Sequence, residues 1–473
     1  MSDTNVLNPD FQPSTEEDWR ALVGKTLKDQ TFDSLRKATA EGLPIEPLYR
    51  QGEIRPAALP ARPFDRDRPW DVRTLTAHPD PAAANAEILA DLEGGAASAV
   101  IRIDPTGQAG VAIGSADHLS RALRDVVLEM APIALDAGFL GPQTADWLNA
   151  LAKSSPGAKL RFNLDPLSAF AESGVSPGPI EAHLISAANV GIRLAGAYPQ
   201  AQLFLASGRV VHEAGGGEAL EVAVAAAAAV AYAKALVRAG LGVADAFAHI
   251  TLGLAADSDY FLSIAKLRAA RLVWARIAGA SGAADTARIE VRASRRMLTI
   301  QDAWTNMIRL TAAGFAAAAG GADAIVLGNF TDAIGLPTEF ARRQSRNTQL
   351  VLMEEAHVAR VADPAAGSGY TEALTDEIAR AAWSIFQAIE ARGGLISALT
   401  SGDIAARVAK TVAARPAPKI VGVTAFPPEK DAPVDVLKPT VTPVAAPSPR
   451  LPGPDGACPA LTPVRASQAH EAA

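Results

Sequence analysis

Two neighbouring features of this sequence combine residue types and spacing that could support chemistry. Gly215-Gly-Gly217 follows a predicted strand and precedes a predicted helix, so its amides could face an anion at the helix N-terminus. The loop lacks the spacing of a nucleotide-binding fingerprint, and we favour a simple turn of the chain. His212 and Glu213 also follow the strand, where barrel enzymes keep their catalytic groups. An isolated histidine there more often forms a structural hydrogen bond, which is the role we expect for His212.

A second glycine-containing loop, Asp363-Pro-Ala-Ala-Gly-Ser-Gly369, is superficially like the cofactor loop of adenine methyltransferases. No Asn-Pro-Pro-Tyr or Asp-Pro-Pro-Tyr sequence follows it, and it comes after all the predicted strands. A methyltransferase is therefore the weakest of the functional alternatives.

One predicted helix carries a row of basic residues that could bind phosphate. Its apolar stripe, from Tyr260 to Trp274, has ordinary core spacing, and Asp257-Ser-Asp259 can cap its N-terminus. Helix packing therefore explains the segment without a ligand, and we expect the basic side chains to be solvated or ion-paired. They are Lys266, Arg268, Arg271 and Arg276.

Composition and charge limit the classes of function. The chain has 473 residues and a net charge of -7 without a basic block, so nucleic acid is not an expected partner. Cys458 is the single cysteine, which excludes an intramolecular disulfide framework and a cysteine-rich zinc module. No histidine pair has zincin spacing. The N-terminus lacks a signal-peptide pattern, and the stretch 222–233 is only about half as long as a membrane span. We expect a cytoplasmic protein, with no membrane partner, in which this stretch is a buried or half-buried helix.

Short apolar strands alternate with alanine-rich helices, such as 118–126 and 218–238, from about residue 68. This alternation implies parallel strands joined by right-handed helical crossovers. About eight such units over roughly 250 residues match a (β/α)8 TIM barrel, with an open doubly wound sheet as the alternative. The predicted strands are 99–103, 131–134, 160–164, 191–194, 202–205, 250–254, 289–292 and 324–327.

The two ends of the chain depart from this pattern. Residues 1–60 are predicted to form an N-terminal arm, in which Ser14 and Glu17 cap a short helix. Residues 61–400 are assigned to the barrel. Residues 401–426 are assigned to a further helix and the start of a linker. Residues 427–473 are rich in Pro, Ala, Val and Ser without a helical or strand period, so they predict a disordered tail.

Several segments in consistent order carry a family resemblance. They are Arg68-Pro-Trp-Asp-Val-Arg73, Ser207-Gly-Arg-Val-Val-His-Glu-Ala-Gly215, residues 266–275 and residues 336–369. Together they resemble the methylmalonyl-CoA mutases, the adenosylcobalamin-dependent acyl-CoA isomerases, over nearly all of the chain except the tail. The resemblance implies a (β/α)8 barrel that threads coenzyme A along its axis. In the family, a separate flavodoxin-like domain that holds cobalamin follows this barrel.

Three catalytic positions of the family carry apolar residues in this chain. Family enzymes read Arg-Pro-Trp-x-x-Arg-x-Tyr and Gly-Tyr-His-Met-Gln-Glu-Ala-Gly. The tyrosine of the first motif and the histidine of the second are here Leu75 and Val210, and His212 falls on the glutamine. A third family motif, Leu-His-Thr-Asn-Ser, has Val326 at its histidine. Losing one oriented donor typically costs on the order of 100- to 1000-fold in rate. The resemblance therefore predicts no catalytic residue in this chain.

The cofactor motif of the family is missing as well. Cobalamin binding there uses Asp-x-His-x-x-Gly, which does not occur in these 473 residues. We expect no cobalamin-binding domain, no bound cofactor and no metal in this chain.

The family also contains heterodimers in which a catalytic large subunit pairs with a homologous, noncatalytic small subunit. The resemblance predicts that this chain is the small subunit of such an isomerase, which interconverts methylmalonyl-CoA and succinyl-CoA in propionate metabolism. Adenosylcobalamin is expected to bind to the large subunit, and acyl-CoA is expected to bind only in the complex. Residues 1–60 are expected to contact the large subunit. Two alternatives stay open: a cobalamin-independent acyl-CoA-binding barrel, and the barrel half of a split mutase.

Overall fold

A computed structural model of the chain describes residues 14–50, 58–60, 65–284 and 286–471. Eight parallel strands close a barrel in which each strand lies beside the next one in sequence and the last pairs with the first. The predicted (β/α)8 barrel is confirmed, and the open sheet is wrong. The barrel strands are β1 (Asp71–Thr76), β2 (Ser98–Arg102), β3 (Ile133–Asp136), β4 (Arg161–Leu164), β5 (Gln202–Ser207), β6 (Ile250–Ala256), β7 (Ile289–Ala293) and β8 (Ala324–Val326).

Helices fill the connections between the strands and continue beyond the barrel. They are α1 (Glu16–Leu27), α2 (Pro81–Glu93), α3 (Ala116–Ala122), α4 (Gly141–Ala152), α5 (Pro166–Ser173), α6 (Ile180–Ala197), α7 (Arg209–Glu213), α8 (Glu218–Ala239), α9 (Val243–Ala248), α10 (Tyr260–Ala280), α11 (Asn306–Ala319), α12 (Glu339–Leu350), α13 (Gly369–Ala391), α14 (Leu395–Thr400), α15 (Asp403–Ala414) and α16 (Gln468–Glu471). The prediction for 218–238 agrees with α8, whereas the one for 118–126 is displaced from α3.

One of the predicted strands is wrong, and one strand of the barrel was not predicted. Residues 191–194, predicted as a strand, lie inside α6, whose buried residues recur at helical spacing from Ile180 to Leu194. The strand that takes its place in the barrel is β1, which the sequence analysis missed. In β1, Val72 is buried against the helices while Asp71 and Arg73 hydrogen-bond to barrel-strand side chains. Because polar residues occupy the inner face, β1 lacks the apolar run expected of a parallel strand.

Helix α8 is a core helix of the barrel. In the part of the chain that the structure describes, it is the one helix long and apolar enough to cross a membrane. In its apolar 18-residue stretch, 72% is buried inside the protein. It packs against α6, α10 and α13. The prediction that residues 222–233 form a buried helix is confirmed.

The N-terminal arm contacts the barrel through its second half. Helix α1 begins one residue later than predicted, because Thr15 and Asp18 form the capping box instead of Ser14 and Glu17. No side chain of α1 is buried. Further along, the ring of Tyr49 lies 5.6 Å from the ring of Tyr370, between centroids. Residues 1–13 and 51–57 of the predicted arm lie outside the described residues.

The C-terminal tail is ordered over residues 427–471, which corrects the prediction of a disordered tail. It runs over the loops at the carboxyl ends of the strands, where Leu437 donates to Leu336 O (2.9 Å) and Val444 to Pro105 O (2.8 Å). Residues Gly456–Ala457 pair antiparallel with Val175–Ser176. Farther along, Val464 donates to Glu213 O (2.8 Å). Composition could not show this order, because the tail's hydrogen-bond partners come from distant barrel loops rather than from its own period.

Candidate functional site

A cavity of about 970 Å³ opens at the carboxyl ends of the barrel strands. Strand ends and the following loops form its walls, and tail residues including Val441, Val464 and Arg465 also line it. The three family positions singled out in the sequence meet here: Leu75 on β1, Val210 on α7 and Val326 on β8. Their apolar side chains provide no donor and no titratable group to the cavity.

Ion pairs fill the barrel interior at the base of this cavity. Arg73 Nη1 lies 2.6 Å from Glu290 Oε2, and Arg73 Nη2 lies 2.5 Å from Asp71 Oδ2. Both Arg73 and Glu290 are almost completely buried. Barrels of this class usually fill the same space with branched apolar side chains. Here a charged cluster takes that place.

A second ion pair crosses the barrel axis. Arg292 Nε lies 3.0 Å from Glu290 Oε1, and Arg292 Nη1 lies 2.6 Å from Asp136 Oδ2. Arg292 belongs to β7 and Asp136 to β3, and these strands are diametrically opposite in the ring of eight. The bridge therefore spans the axis near the carboxyl ends of the strands. An extended ligand cannot pass along the axis without separating these two charges.

The arginines of this cluster lower the pKa values of the carboxyl groups beside them. Burial opposes ionisation of Glu290, but the guanidiniums of Arg292 and Arg73 lower its pKa to about 2. Burial likewise opposes ionisation of Asp136, and Arg292, Arg102 and Arg209 hold its pKa well below its usual value. Both carboxyl groups are therefore ionised at neutral pH, and neither is poised to exchange a proton there.

His212 lies outside the cavity and is completely buried. Its Nε2 is 3.0 Å from Ser294 Oγ and 3.4 Å from Asp257 Oδ2, and its Nδ1 is 3.2 Å from Glu221 Oε2. Buried groups with this number of partners are held in one orientation. The contacts agree with the expected structural role of His212.

The glycine loop at 215–217 faces a carboxyl group of the chain itself. The Glu41 carboxylate of the N-terminal arm accepts hydrogen bonds from Ala219 N (2.8 Å) and Leu220 N (3.0 Å) at the start of α8. A side chain at Gly217 would overlap the Glu41 carboxylate. Burial and the neighbouring Glu218 raise the pKa of Glu41 to about 7. The loop thus anchors the arm, a role beyond the simple turn that we favoured.

Three of the four basic residues of α10, Lys266, Arg268 and Arg271, are buried and paired within the chain, and Arg276 is exposed, so the helix has no row of free basic side chains for a phosphate. Lys266 Nζ lies 2.6 Å from Glu221 Oε2, and Arg271 donates to Ala287 O (2.8 Å). Arg276 lies over the Trp383 ring, 4.2 Å from its centroid. Asp259 caps the helix by accepting from Leu262 N.

The loop at 363–369 also has a structural explanation. Arg268 forms ion pairs with Asp363 and with Glu372, the latter at 2.7 Å, and Ser368 caps α13 by accepting from Thr371 N. Together with the closed barrel, these contacts exclude the methyltransferase interpretation.

Sequence reasoning missed the arginines that surround the cavity. Arg102 and Arg292 lie at or near the carboxyl ends of predicted strands, and Arg209 lies four residues after the end of the predicted strand 202–205. That position was the available signal, since the carboxyl ends of parallel barrel strands converge on one mouth. Among the residues that the structure describes, no group of three or more His, Cys, Asp or Glu side chains could hold a metal ion.

Comparison with known proteins identifies the family. The methylmalonyl-CoA mutase family model matches residues 39–446. A methylmalonyl-CoA mutase small subunit of Streptomyces virginiae is 38% identical over 459 residues, which cover 91% of this chain and 73% of that protein. The one from Propionibacterium freudenreichii subsp. shermanii is 34% identical over 470 residues, 90% of this chain and 72% of that protein. A methylmalonyl-CoA mutase of Escherichia coli is 28% identical over 428 residues, 82% of this chain and 60% of that protein.

The family model extends over the barrel, the ion-pair cluster and the first part of the tail. The matches confirm the resemblance on which the sequence analysis relied, including the likeness to small subunits. The chain belongs to the methylmalonyl-CoA mutase family.

Proposed function

We propose that this chain is the noncatalytic small subunit of a heterodimeric, adenosylcobalamin-dependent methylmalonyl-CoA mutase. In this role it supports a large subunit that interconverts methylmalonyl-CoA and succinyl-CoA in the cytoplasm. The observation that carries the proposal is the Arg292–Asp136 ion pair across the barrel axis. It occupies the path along which the family threads coenzyme A, so the proposed role for this barrel is structural.

The cavity composition supports the same role. Leu75, Val210 and Val326 offer neither a hydrogen bond to a thioester carbonyl nor a proton. Cobalamin does not fit the residues present either, because no Asp-x-His-x-x-Gly sequence occurs in the 473 residues. In addition, tail residues such as Val464 contribute to the cavity wall at the mouth of the barrel. The cofactor is therefore assigned to the partner subunit.

The N-terminal arm supports contact with a partner. Helix α1 buries no side chain in this chain, and Leu22 on it is 61% exposed. The rings of Trp19 and Phe32 lie 5.5 Å apart and form a partly exposed aromatic pair beside it. An amphipathic helix without a buried face is suited to packing against a second surface.

The test is co-expression with the homologous large subunit, followed by size exclusion and a mutase assay with added adenosylcobalamin. We expect a stable 1:1 complex that is active, and no activity from this chain alone. Leu22→Asp should weaken the complex. Val127→Asp, at a similarly exposed apolar residue (53%) on the barrel, is the matched control and should leave the complex intact.

Two results would overturn the proposal. One is a large subunit that is fully stable and active without this chain, together with clean separation of the two chains on gel filtration. The other is mutase activity or cobalamin binding by this chain alone. Measurable affinity of the isolated chain for acyl-CoA would instead favour the cobalamin-independent acyl-CoA-binding barrel.

A further inference from the structure

The outward face of helix α11 is apolar. Its three exposed residues are Ile308 (71%), Thr311 and Phe315 (37%), which lie on one side of the helix. The hydroxyl of Thr311 donates to a carbonyl of the preceding turn (2.8 Å) and is therefore satisfied within the helix. The single charged residue of α11, Arg309, is half-buried and donates to Val421 O at 2.6 Å. The helix therefore turns an uncharged face outward.

Helix α6 shows the outer face that is ordinary for this barrel. Its exposed residues include Glu181, Asn189 and Arg193, and Ile185 (60%) lies among them. Polar residues on the outer face are the rule for a surface helix, and single apolar residues among them are common. A row of exposed apolar residues without a charge between them is instead typical of a surface that a second protein covers.

Aromatic contacts connect this face of α11 to the N-terminal arm. Measured between ring centroids, Phe315 lies 5.8 Å from Tyr260, which lies 4.2 Å from Phe261. Phe261 is 37% exposed and lies 5.0 Å from Tyr370, whose ring contacts Tyr49 of the arm. An unbroken series of rings therefore runs from the arm to α11. We call the exposed residues Phe261, Ile308, Thr311 and Phe315 the α11 face.

Helix α1 alone is too small to hold two subunits together. It has 12 residues, and only one side of it can contact a partner. A stable protein–protein interface involves about 20–30 residues and about 800 Å² on each partner. The arm therefore needs a second surface on the same chain, and the α11 face is exposed, apolar and continuous with the arm.

We infer that the α11 face packs against the large subunit together with the N-terminal arm, and that it meets an apolar surface there. A face without a free charge is best matched by another apolar face, because association then removes apolar area from water without stranding a polar group. The inference rests on the proposed function, which supplies the partner. It goes beyond that function by placing the contact on the barrel wall at α11 as well as on the arm.

The experiment measures the dissociation constant between this full chain and the homologous large subunit by calorimetric titration. Ile308→Asp should raise the dissociation constant at least about tenfold, because association would bury the new charge without a partner. The variant should fold, because residue 308 is exposed and lies in the first turn of α11, where the helix dipole favours a carboxylate. Ile185→Asp, at a similarly exposed residue of α6, is the control and should bind as the natural chain does.

Three other outcomes would contradict a defined part of the inference. If the natural chain and Ile308→Asp bind the large subunit equally well, the α11 face is not the contact, and the proposed function still stands. If the natural chain forms no complex at all, the proposed function fails, and with it the partner assigned to the α11 face. If the natural chain alone self-associates and Ile308→Asp abolishes this, a second copy covers the face instead of the large subunit.

Discussion

Replacement of Glu290 by glutamine is the most direct test of the charged barrel interior. The glutamine keeps the size of the side chain but removes the charge that Arg73 and Arg292 share at 2.6 and 3.0 Å. In the folded chain the pKa of Glu290 falls from its ordinary 4.5 to about 2. At about 1.4 kcal/mol per pKa unit, this corresponds to roughly 3 kcal/mol of stabilisation at neutral pH. Glu290→Gln should lower the free energy of unfolding by about that amount.

Urea unfolding followed by far-UV circular dichroism measures this change. The control is Asp376→Asn, which removes the acid from an exposed pair with Arg380 at 2.6 Å; it should cost less than about 1 kcal/mol. Because the pKa of Glu290 is lowered by folding, its contribution is present above pH 4.5 and is lost as pH falls towards 2. The difference between the natural chain and the variant should therefore shrink in acid. Equal stability of Glu290→Gln and the natural chain at pH 7 would refute the reasoning.

Two further predictions concern the segments that cover the barrel. A methyl group at Gly114 would overlap the Ala445 carbonyl oxygen, so Gly114→Ala should displace the tail and speed its cleavage in limited proteolysis. The control is Gly196→Ala, where an added methyl group has nothing within 4 Å, and it should leave the cleavage rate unchanged. Equal cleavage of the two variants would contradict the path of the tail. Burial and Glu218 raise the folded pKa of Glu41 to about 7, so its contribution is present below pH 4.5 and lost as pH rises through 7. Hydrogen exchange, corrected for intrinsic rates, should show weaker protection of the arm's backbone amides at pH 8 than at pH 5. Glu41→Gln should remove this pH dependence. An unchanged pH dependence in the variant would exclude Glu41 as its source.

The barrel could be predicted because its repeat is local. Most barrel strands are short apolar runs between alanine-rich helices, and each such unit is visible in one window of sequence. Strand β1 was not predicted because its inner face carries Asp71 and Arg73 instead of apolar residues. Their hydrogen-bond partners, Ser98 for Asp71 and Glu290 for Arg73, are distant in sequence. Residues 191–194 were misassigned because an apolar run of four residues fits a strand and a helix equally well.

The site shows the same division between local and distant information. The apolar residues Leu75, Val210 and Val326 could be recognised by alignment with family motifs, and all three line the cavity. The arginine cluster could not be recognised in this way. Arg102, Asp136 and Arg292 come from three strands, and only closure of the barrel brings the last two within 2.6 Å.

The buried ion pairs fix the relative positions of the strands in this barrel. A buried ion pair adds little stability over a well-packed apolar pair, but removing one member alone is costly. Glu290 and Arg292 therefore link β7 to β1 and β3 in a fixed relation, because a shift of either partner strand would separate buried charges. A barrel closed by Leu and Val side chains could be as stable, but it would have no ion pair across its axis. The same residues thus hold opposite strands together and block the axis.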